Sequence, residues 1–170
     1  MEVKTVVVGP LQTNCYLLIK DNKCLMIDPG DNADKIKSII GNNKLIGIII
    51  THDHFDHVDA VGDFLDIPVY NYQNLSVGKH VIDSFSFDVI HTLGHSDDSI
   101  SIYFKDSKLM FTGDFLFEGT IGRTDLETGS MDKMLGSISL IKEYDDDIII
   151  YPGHGPSTTL GHEKRYNPYF

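Results

Sequence analysis

Apolar residues in the first part of the chain occur in four short runs and one helical repeat. Three of the runs are rich in β-branched residues, are separated by turn residues and predict a β-meander over residues 3–8, 16–20 and 25–28. Apolar positions at helical spacing over residues 33–41, with a glycine at the end, predict an amphipathic helix. The continuous apolar run 45–50 then predicts a strand that is covered on both faces.

The second half of the chain repeats this pattern. Strands are predicted over residues 86–92, 99–105, 108–112 and 147–151. A helix is predicted from about residue 130 to residue 144 with Ser130 as its N-cap, and a short last helix is predicted with Ser157 as its cap. Two similar β-rich halves with helices outside them predict an α/β fold, a four-layer αβ/βα sandwich. Since no linker separates the halves, we expect one domain over residues 1–170.

The composition indicates a folded core and limits the partners. The chain has 170 residues, of which 41% are hydrophobic, and this is enough for a buried core. It carries 14 Lys and Arg against 25 Asp and Glu, a balance that repels phosphate backbones, so we expect no nucleic-acid partner. No apolar run approaches the roughly 18 residues of a membrane span, and the first residues lack the features of a signal peptide. We therefore expect a cytoplasmic protein without membrane contact.

The two cysteines, Cys15 and Cys24, form no C-x-x-C pair and stand beside no other metal-ligand residue. Free cysteine is among the most buried residue types. We expect both thiols to be reduced and packed in strands, with a disulfide across a hairpin as the alternative.

The candidate chemistry is concentrated in the loop that follows the predicted strand 45–50. Residues 52–57 read HDHFDH, and such a density of imidazoles and carboxylates serves no packing purpose. Imidazole and carboxylate without thiolate select zinc, iron, manganese or cobalt. The candidate metal ligands of this loop are His52, His54, Asp56 and His57.

Three further candidate ligands, His95, Asp114 and His154, stand at the ends of other predicted strands. Each follows an apolar run and a glycine. Glycine permits the tight turn that lifts the next side chain out of the sheet edge. Each residue alone is also typical of a capping or solvated position. Together with the loop at 52–57, they indicate one metal site at a common edge of the sheets.

Motifs along nearly the whole chain resemble those of one enzyme superfamily. They span residues 9–16 (GPLQTNCY), 27–30 (IDPG), 51–57 (THDHFDH), 94–95 (GH), 111–114 (FTGD), 122–125 (GRTD) and 152–155 (PGHG). In these motifs the sequence resembles the metallo-β-lactamase superfamily and, within it, the short bacterial glyoxalase II-like hydrolases. The resemblance implies the αβ/βα fold, which agrees with the strand and helix pattern.

The resemblance also implies how the candidate ligands are shared between two divalent ions, which we expect to be zinc, with iron or manganese as alternatives. One ion would be held by His52, His54 and His95, the other by Asp56, His57 and His154, with Asp114 bridging the two.

Two ions that share a water lower its pKa and give hydroxide near neutrality. We expect this hydroxide to attack a small-molecule acyl thioester such as S-lactoylglutathione, as in hydroxyacylglutathione hydrolases, with Asp56 as the catalytic residue that orients it or moves its proton. Two-domain glyoxalase II enzymes carry a C-terminal helical domain that binds glutathione, and we expect no such domain here. The expected thiol carrier is therefore glutathione or another low-molecular-weight thiol.

Two residues outside the ligand set have two interpretations each. Asp28, at a strand end, either hydrogen-bonds a ligand histidine or is a turn carboxylate. Arg123 either binds a substrate carboxylate, as the resemblance to glutathione-binding relatives implies, or pairs with a neighbouring aspartate. The chain also has carboxylates where those relatives have other residues, and we expect them to face water: Asp53, Asp97 and Asp98.

The same residues leave other functions open. A persulfide dioxygenase would hold one iron on His54, His95 and Asp114, a facial triad with open positions. A lactonase and a non-catalytic metal-binding domain are further alternatives. Hydrolysis of β-lactams ranks lower, because many of those enzymes carry cysteine at the position of Asp114.

Overall fold

The computed structural model describes residues 1–170 and contains two mixed β-sheets. The strands of the first sheet, in spatial order, are β1 (Glu2–Val8), β2 (Thr13–Lys20), β3 (Lys23–Ile27), β4 (Lys44–Ile49) and β5 (Val69–Tyr70). The first three strands form the predicted antiparallel meander. The next two are added in parallel, each after a crossover.

The second sheet has six strands, and its spatial order begins with the end of the chain. In that order they are β13 (Thr158–Thr159), β12 (Ile149–Pro152), β9 (Leu109–Gly113), β8 (Ile100–Phe104), β7 (Phe85–His91) and β6 (Gly78–Ile82). Strands β9 and β12 are parallel, and the other pairs are antiparallel. A separate hairpin consists of β10 (Leu116–Phe117) and β11 (Thr120–Ile121).

Four α-helices complete the fold: α1 (Ala33–Ile40), α2 (Phe55–Val58), α3 (Met131–Ile141) and α4 (Leu160–Tyr166). Two 3-10 turns lie at Val61–Asp63 and Lys105–Ser107. None of the helices has the length and apolar character that a bilayer span requires. Ser130 caps α3 as predicted, because its side chain accepts a hydrogen bond from the backbone N–H of Lys133.

Three apolar cores separate four layers. The central core lies between the two sheets and contains Ile27 and Phe111. A second core joins the outer face of the first sheet to α1 through Ile36, and a third joins the outer face of the second sheet to α3 through Met134 and Ile138. Full burial of each such side chain contributes about 1.5–3 kcal/mol. This arrangement is the predicted αβ/βα sandwich.

The start of the last helix was predicted wrongly at Ser157, which is exposed. The helix begins at Leu160, and Thr159 is its cap, with a side chain that accepts a hydrogen bond from the backbone N–H of His162. The cap lies further along because Thr158 is drawn into β13, where its hydroxyl donates to the buried carboxylate of Glu163.

The two cysteines are free and buried, as predicted. Cys15 lies in β2 and Cys24 in β3, and both belong to the core between the first sheet and α1. Burial raises the pKa of the Cys15 thiol well above its usual value and that of Cys24 to about 12. Both thiols are therefore protonated at neutral pH.

Candidate metal centre

The seven candidate ligands meet where strands of both sheets end. The loop 52–57 follows β4, which runs parallel to β3 in the first sheet. His95, Asp114 and His154 follow β7, β9 and β12, which all run in one direction in the second sheet. Strands that run in one direction place their carboxyl ends at the same edge of a sheet. The two sheets thus bring all seven side chains to one end of the sandwich.

His52, His54 and His95 form a first cluster, in which three ring nitrogens face one point. His54 Nδ1 lies 3.1 Å from His52 Nε2 and 2.9 Å from His95 Nε2. The imidazoles of His52 and His95 are buried, and that of His54 is half-buried. The three atoms are close enough to bind one ion.

Asp56, His57 and His154 form a second cluster. Asp56 Oδ2 lies 3.6 Å from His57 Nε2 and 3.2 Å from His154 Nε2. Asp114 lies between the clusters: its Oδ1 is 3.3 Å from His57 Nε2, and its Oδ2 is 3.6 Å from His95 Nε2. This is the position that a bridging carboxylate would occupy.

Backbone carbonyls fix the tautomers of two histidines. His95 Nδ1 lies 2.9 Å from the carbonyl oxygen of Arg123, and His154 Nδ1 lies 3.0 Å from that of Leu11. Since a carbonyl oxygen can only accept, Nδ1 of each ring carries the proton and donates it. In the neutral rings, Nε2 therefore presents a lone pair to the cluster, as a metal ligand must.

Asp28 supports both clusters from the end of β3. Its Oδ2 lies 2.9 Å from His57 Nδ1 and accepts a hydrogen bond of 2.6 Å from the Thr51 hydroxyl. That hydroxyl in turn lies 3.1 Å from His52 Nδ1. The backbone N–H of Thr51 donates to Asp28 Oδ1. The structure supports the first interpretation of Asp28, in which its carboxylate contacts a candidate ligand histidine.

The residues present fit a divalent cation. His57 Nε2 and Asp114 Oδ1 are buried and have no hydrogen-bond partner. Buried polar atoms without a partner are rare and need a specific explanation. Here a ring nitrogen and a carboxylate oxygen face each other at 3.3 Å, and a cation between them would satisfy both. The donor set of imidazole and carboxylate suits zinc, iron or manganese.

The electrostatics of the two clusters differ. Burial and the neighbouring histidines lower the pKa values of His52 and His54. Burial also opposes a charge on His57, but the carboxylates of Asp114 and Asp28 close to its ring prevail and raise its pKa to about 10. Burial alone would raise the pKa of Asp114, yet the imidazoles of His154 and His57 close to its carboxylate hold it well below its usual value. The carboxylates thus attract positive charge to the second cluster.

Glycine is required around the candidate ligands for two different reasons. Gly94 has φ 138° and Gly113 has φ 50°, so both use the backbone region that glycine favours. Gly153 is required for space instead, because a Cβ there would lie 2.1 Å from Asp114 Oδ1 and 2.8 Å from His57 Cε1. The sequence pattern of apolar run, glycine and ligand marks these positions but does not distinguish the two reasons.

Sequence reasoning assigned no role to the start of β2, although the motif at residues 9–16 includes it. The Thr13 hydroxyl donates to Asp56 Oδ2 at 2.7 Å. The Asn14 side-chain amide donates to the carbonyl oxygens of Pro152 and Gly155, which flank His154. The segment therefore supports the second cluster from the first sheet.

The clusters lie at the bottom of a cleft of about 770 Å³. Arg123 lines this cleft, and its guanidinium forms two hydrogen bonds with the Asp125 carboxylate, at 2.7 and 2.8 Å. In the structure, Arg123 thus pairs with a neighbouring aspartate. Its binding of a substrate carboxylate stays a prediction. Asp53 and Asp97 are exposed to solvent within the cleft, and Asp98 is half-buried beside them.

Comparison with known proteins gives one family. The profile of the metallo-beta-lactamase superfamily matches residues 8–72 and 76–154. A probable metallo-hydrolase of Bacillus subtilis (strain 168), YqgX, is 35% identical, and the match covers 99% of this chain and 97% of that protein. The hydroxyacylglutathione hydrolase GloC of Haemophilus influenzae is 32% identical, with 99% and 98% of the two chains covered.

Solved structures agree over nearly the whole chain. The BLEG-1 B3 metallo-beta-lactamase has a TM-score of 0.94 at 33% identity and covers 99% of both chains. TTHA1623 in a di-iron-bound form has a TM-score of 0.91 at 32% identity, with 99% of this chain and 100% of that chain covered. ETHE1 from Myxococcus xanthus has a TM-score of 0.90 at 26% identity, with 99% and 84% covered.

Proposed function

Since the chain belongs to the metallo-β-lactamase superfamily and is a metal-dependent hydrolase, we propose that it cleaves small-molecule acyl thioesters, as glyoxalase II enzymes do. The observation that carries this proposal is the pair of clusters joined by Asp114 at the bottom of an open cleft. Two potential metal-ligand atoms there, His57 Nε2 and Asp114 Oδ1, are buried and have no hydrogen-bond partner. The similarity to GloC favours a thioester over other acyl compounds.

We propose that the two clusters hold two divalent ions, zinc by preference, with Asp114 shared. When bound, such ions supply a hydroxide nucleophile near neutral pH and polarise the carbonyl that is attacked. His52, His54 and His95 would hold one ion through the nitrogens that face each other. Asp56, His57 and His154 would hold the other.

The reaction is a hydrolysis that needs no oxidant or reductant. Water adds to the thioester carbonyl, the carbon–sulfur bond breaks, and the products are a carboxylate, a thiol and a proton. The chain's own thiols do not serve as nucleophiles, because Cys15 and Cys24 are buried in the core below α1. The attacking group is therefore a water molecule.

Asp56 is the residue that we propose to orient this water and accept its proton. Its carboxylate is half-buried at the edge of the cleft. The Thr13 hydroxyl donates to Oδ2 and so fixes the rotation of the carboxylate. Asp28 keeps the ring of His57 in place through Nδ1. The site would thus be ordered before substrate arrives, which lowers the cost of organising it during the reaction.

The experiment combines metal content with turnover on one sample. Protein reconstituted with zinc, iron or manganese is assayed with S-lactoylglutathione and other acyl thioesters, and Asp114→Ala is the control that removes the shared carboxylate. We expect about two ions per chain and thioester hydrolysis that Asp114→Ala abolishes. Metal-loaded protein without activity on any thioester would overturn the proposal.

Two other functions have specific support and are tested in the same assay. The solved neighbour BLEG-1 is named a B3 metallo-beta-lactamase, so a chromogenic β-lactam belongs to the substrate panel. The similarity to ETHE1 keeps open a mononuclear iron site on His54, His95 and Asp114, of which His95 lies 2.9 Å from His54 and 3.6 Å from Asp114. In that case one iron per chain and persulfide-dependent oxygen uptake are expected.

A further inference from the structure

The hairpin of β10 and β11 lies beside the candidate metal centre but belongs to neither main sheet. Its two short strands pair only with each other. A two-stranded hairpin is marginally stable at best in water on its own. Contacts from outside the hairpin must therefore hold it in place.

This hairpin is connected to all three candidate ligands that the second sheet supplies. A single residue separates Asp114 from β10. The carbonyl oxygen of Arg123, just after β11, accepts from His95 Nδ1 at 2.9 Å. The ring centroids of Phe117 and His154 lie 6.2 Å apart. A shift of the hairpin would therefore move groups that orient or contact these ligands.

The exit from the hairpin leaves no room for an independent adjustment. At Gly122, a Cβ would lie 1.8 Å from the Asp114 carbonyl oxygen and 3.1 Å from His95 Nδ1. The backbone N–H of Gly122 also donates to the carbonyl oxygen of Phe115 at 3.2 Å. Because protein interiors are close-packed, a displacement of the hairpin is transmitted to the neighbouring ligands rather than absorbed.

The tip of the hairpin is held by the carboxylate of Glu163 in α4. Gly119, in the turn, donates its backbone N–H to Glu163 Oε2 at 2.9 Å, and this contact joins segments 44 positions apart. A second contact comes from the end of α4, where the Asn167 side-chain amide donates to the carbonyl oxygen of Thr120 at 3.1 Å. The last helix therefore anchors the hairpin at its turn and at the start of β11.

The side chain of Glu163 is fully buried and has no cation beside it. The basic side chains of the same helix, Lys164 and Arg165, both pair with Asp146. A buried carboxylate without a counter-charge destabilises a fold unless hydrogen bonds satisfy its oxygens. The donors that reach this carboxylate therefore indicate its role.

Two of these three donors are local, and the third is not. The Thr158 hydroxyl donates to Glu163 Oε1 at 2.6 Å, and the Asn167 amide donates to Oε2 at 2.9 Å. They lie five and four positions away, so they hold only the end of the chain together. Gly119 alone connects the carboxylate to the hairpin. Hydrogen bonds to a charged acceptor are stronger than neutral ones, which suits an anchor for a segment without sheet partners.

We propose that Glu163 is a positioning residue for the metal centre, although it lies in α4 and forms no hydrogen bond with a candidate ligand. Through Gly119 it fixes the hairpin, and the hairpin keeps the Arg123 carbonyl oxygen in place as the acceptor for His95. The inference rests on the proposed function only in taking the two clusters as metal sites.

The test compares Glu163→Ala, which removes the anchor, with Glu163→Gln, whose amide oxygen can still accept from Gly119. The first measurement is the exchange of the His95 ring N–H proton with solvent, followed by NMR in the zinc-loaded and the metal-free full chain. We expect exchange about tenfold faster or more in Glu163→Ala, and close to wild type in Glu163→Gln. The ring proton of His57, which faces Asp28 at the end of β3, is the internal reference and should not change.

The second measurement is cobalt(II) binding, because the visible spectrum of this ion reports the geometry of its ligands. We expect the affinity of the cluster that contains His95 to fall about tenfold or more in Glu163→Ala. The spectrum of the bound ion should change as well. Glu163→Gln should restore most of both properties.

Ile36→Val in α1 is the control for a general loss of stability. It shortens a fully buried side chain in the core below the first sheet, which does not include the hairpin. We expect the melting temperature to fall with both measurements unchanged. If Glu163→Ala does not fold, Asn167→Ala takes its place, since it removes the contact to Thr120 and should shift both measurements in the same direction.

The outcomes separate this inference from the proposed function. Lower stability without faster His95 exchange or weaker cobalt binding would overturn the positioning role and leave Glu163 a residue of the core. A Gln variant as impaired as the Ala variant would also overturn it, because the hydrogen bond to Gly119 would then not be the cause. Absence of thioester hydrolysis, or of metal binding by the wild type, overturns the proposed function instead. The exchange of the His95 proton in the metal-free chain then decides the role of Glu163 alone.

Discussion

The two clusters share Asp114, yet the protein supports them by different means. The first cluster consists of three histidines, and its supports are neutral: the Thr51 hydroxyl at His52 and a backbone carbonyl at His95. The second cluster contains Asp56, and His57 is supported by a second carboxylate, that of Asp28. One cluster is therefore neutral apart from the shared carboxylate, and the other is anionic.

This difference teaches that the two metal positions need not respond alike to the same change. A proton competes for the anionic cluster, because carboxylates stabilise a protonated His57. Protons compete less for His52 and His54 of the first cluster, since their pKa values are lowered. Affinity for a cation should thus depend on charge in the second cluster and on packing and orientation in the first.

The largest effect is expected from Gly153→Ala, which would remove both sites together. The new methyl group would lie 2.1 Å from Asp114 Oδ1, at the carboxylate that both clusters share. We expect metal content near zero and activity reduced by more than about 100-fold. The control is Gly136→Ala in α3, where a Cβ meets nothing within 4 Å and alanine favours the helix. Bound metal in Gly153→Ala at the wild-type level would contradict the shared position.

Asp28→Asn should weaken the second cluster more than the first, because Asp28 contacts His57 directly and reaches His52 only through Thr51. Asparagine tolerates the φ of 52° at this position but loses the negative charge that faces His57 Nδ1. We expect metal affinity at the second cluster to fall about 10- to 100-fold. The comparison is Thr51→Val, which removes the hydroxyl contact to His52 together with one hydrogen bond to Asp28, and should weaken the first cluster more than the second. Stepwise metal titration of both variants distinguishes the sites, and identical titrations would refute the separation.

The pH dependence of metal binding should also differ between the clusters. The pKa of His57 in the folded chain is about 10, above the ordinary value of about 6.5. Its proton stabilises the metal-free fold fully below about pH 6.5, and this contribution is lost as the pH rises through about 10. An ion at the second cluster must displace that proton, so its apparent affinity should rise with pH, by up to about tenfold per unit.

Competition with a chelating dye between about pH 6.5 and 8.5 measures this slope. The first cluster provides the internal reference, because its affinity should change little over the same range. Equal slopes at both positions would mean that the difference in supporting charges has no effect on binding.

The smallest effect is expected from Thr13→Val, which keeps the shape of the side chain and removes one hydrogen bond to Asp56 Oδ2. A hydrogen bond to a charged group contributes about 1.5–3 kcal/mol when buried, and less at this half-buried carboxylate. We expect kcat to fall several-fold with metal content unchanged. Loss of metal instead would mean that Thr13 holds Asp56 as a ligand rather than orienting it for proton transfer.

The sequence predicts the long elements well because their signal is local. The meander, β4, α1 and α3 each have enough apolar positions to define a period. The short strands β5, β10 and β11 have two residues each, so they exist only through their partners and have no period of their own.

The candidate site shows the same division between features with a local sequence pattern and features that depend on distant contacts. Side chains with ligand chemistry, such as His95 and Asp114, are visible in the sequence by residue type and position after a strand. Their supports are often backbone atoms, which have no residue type: His95 is oriented by the carbonyl oxygen of Arg123, not by the guanidinium. The role of Thr13 depends on a contact between segments 43 positions apart, which no local pattern contains.

The contacts that close the second cluster also determine when it can form during synthesis. His154 donates to Leu11 across 143 positions, and Asn14 reaches Gly155 across 141. Contacts of such large sequence separation cannot form until the ribosome has released nearly the whole chain. A nascent chain would therefore lack the second cluster until its last strands are folded. Metal retained at this cluster would report that the chain has been synthesised and folded at least as far as Gly155.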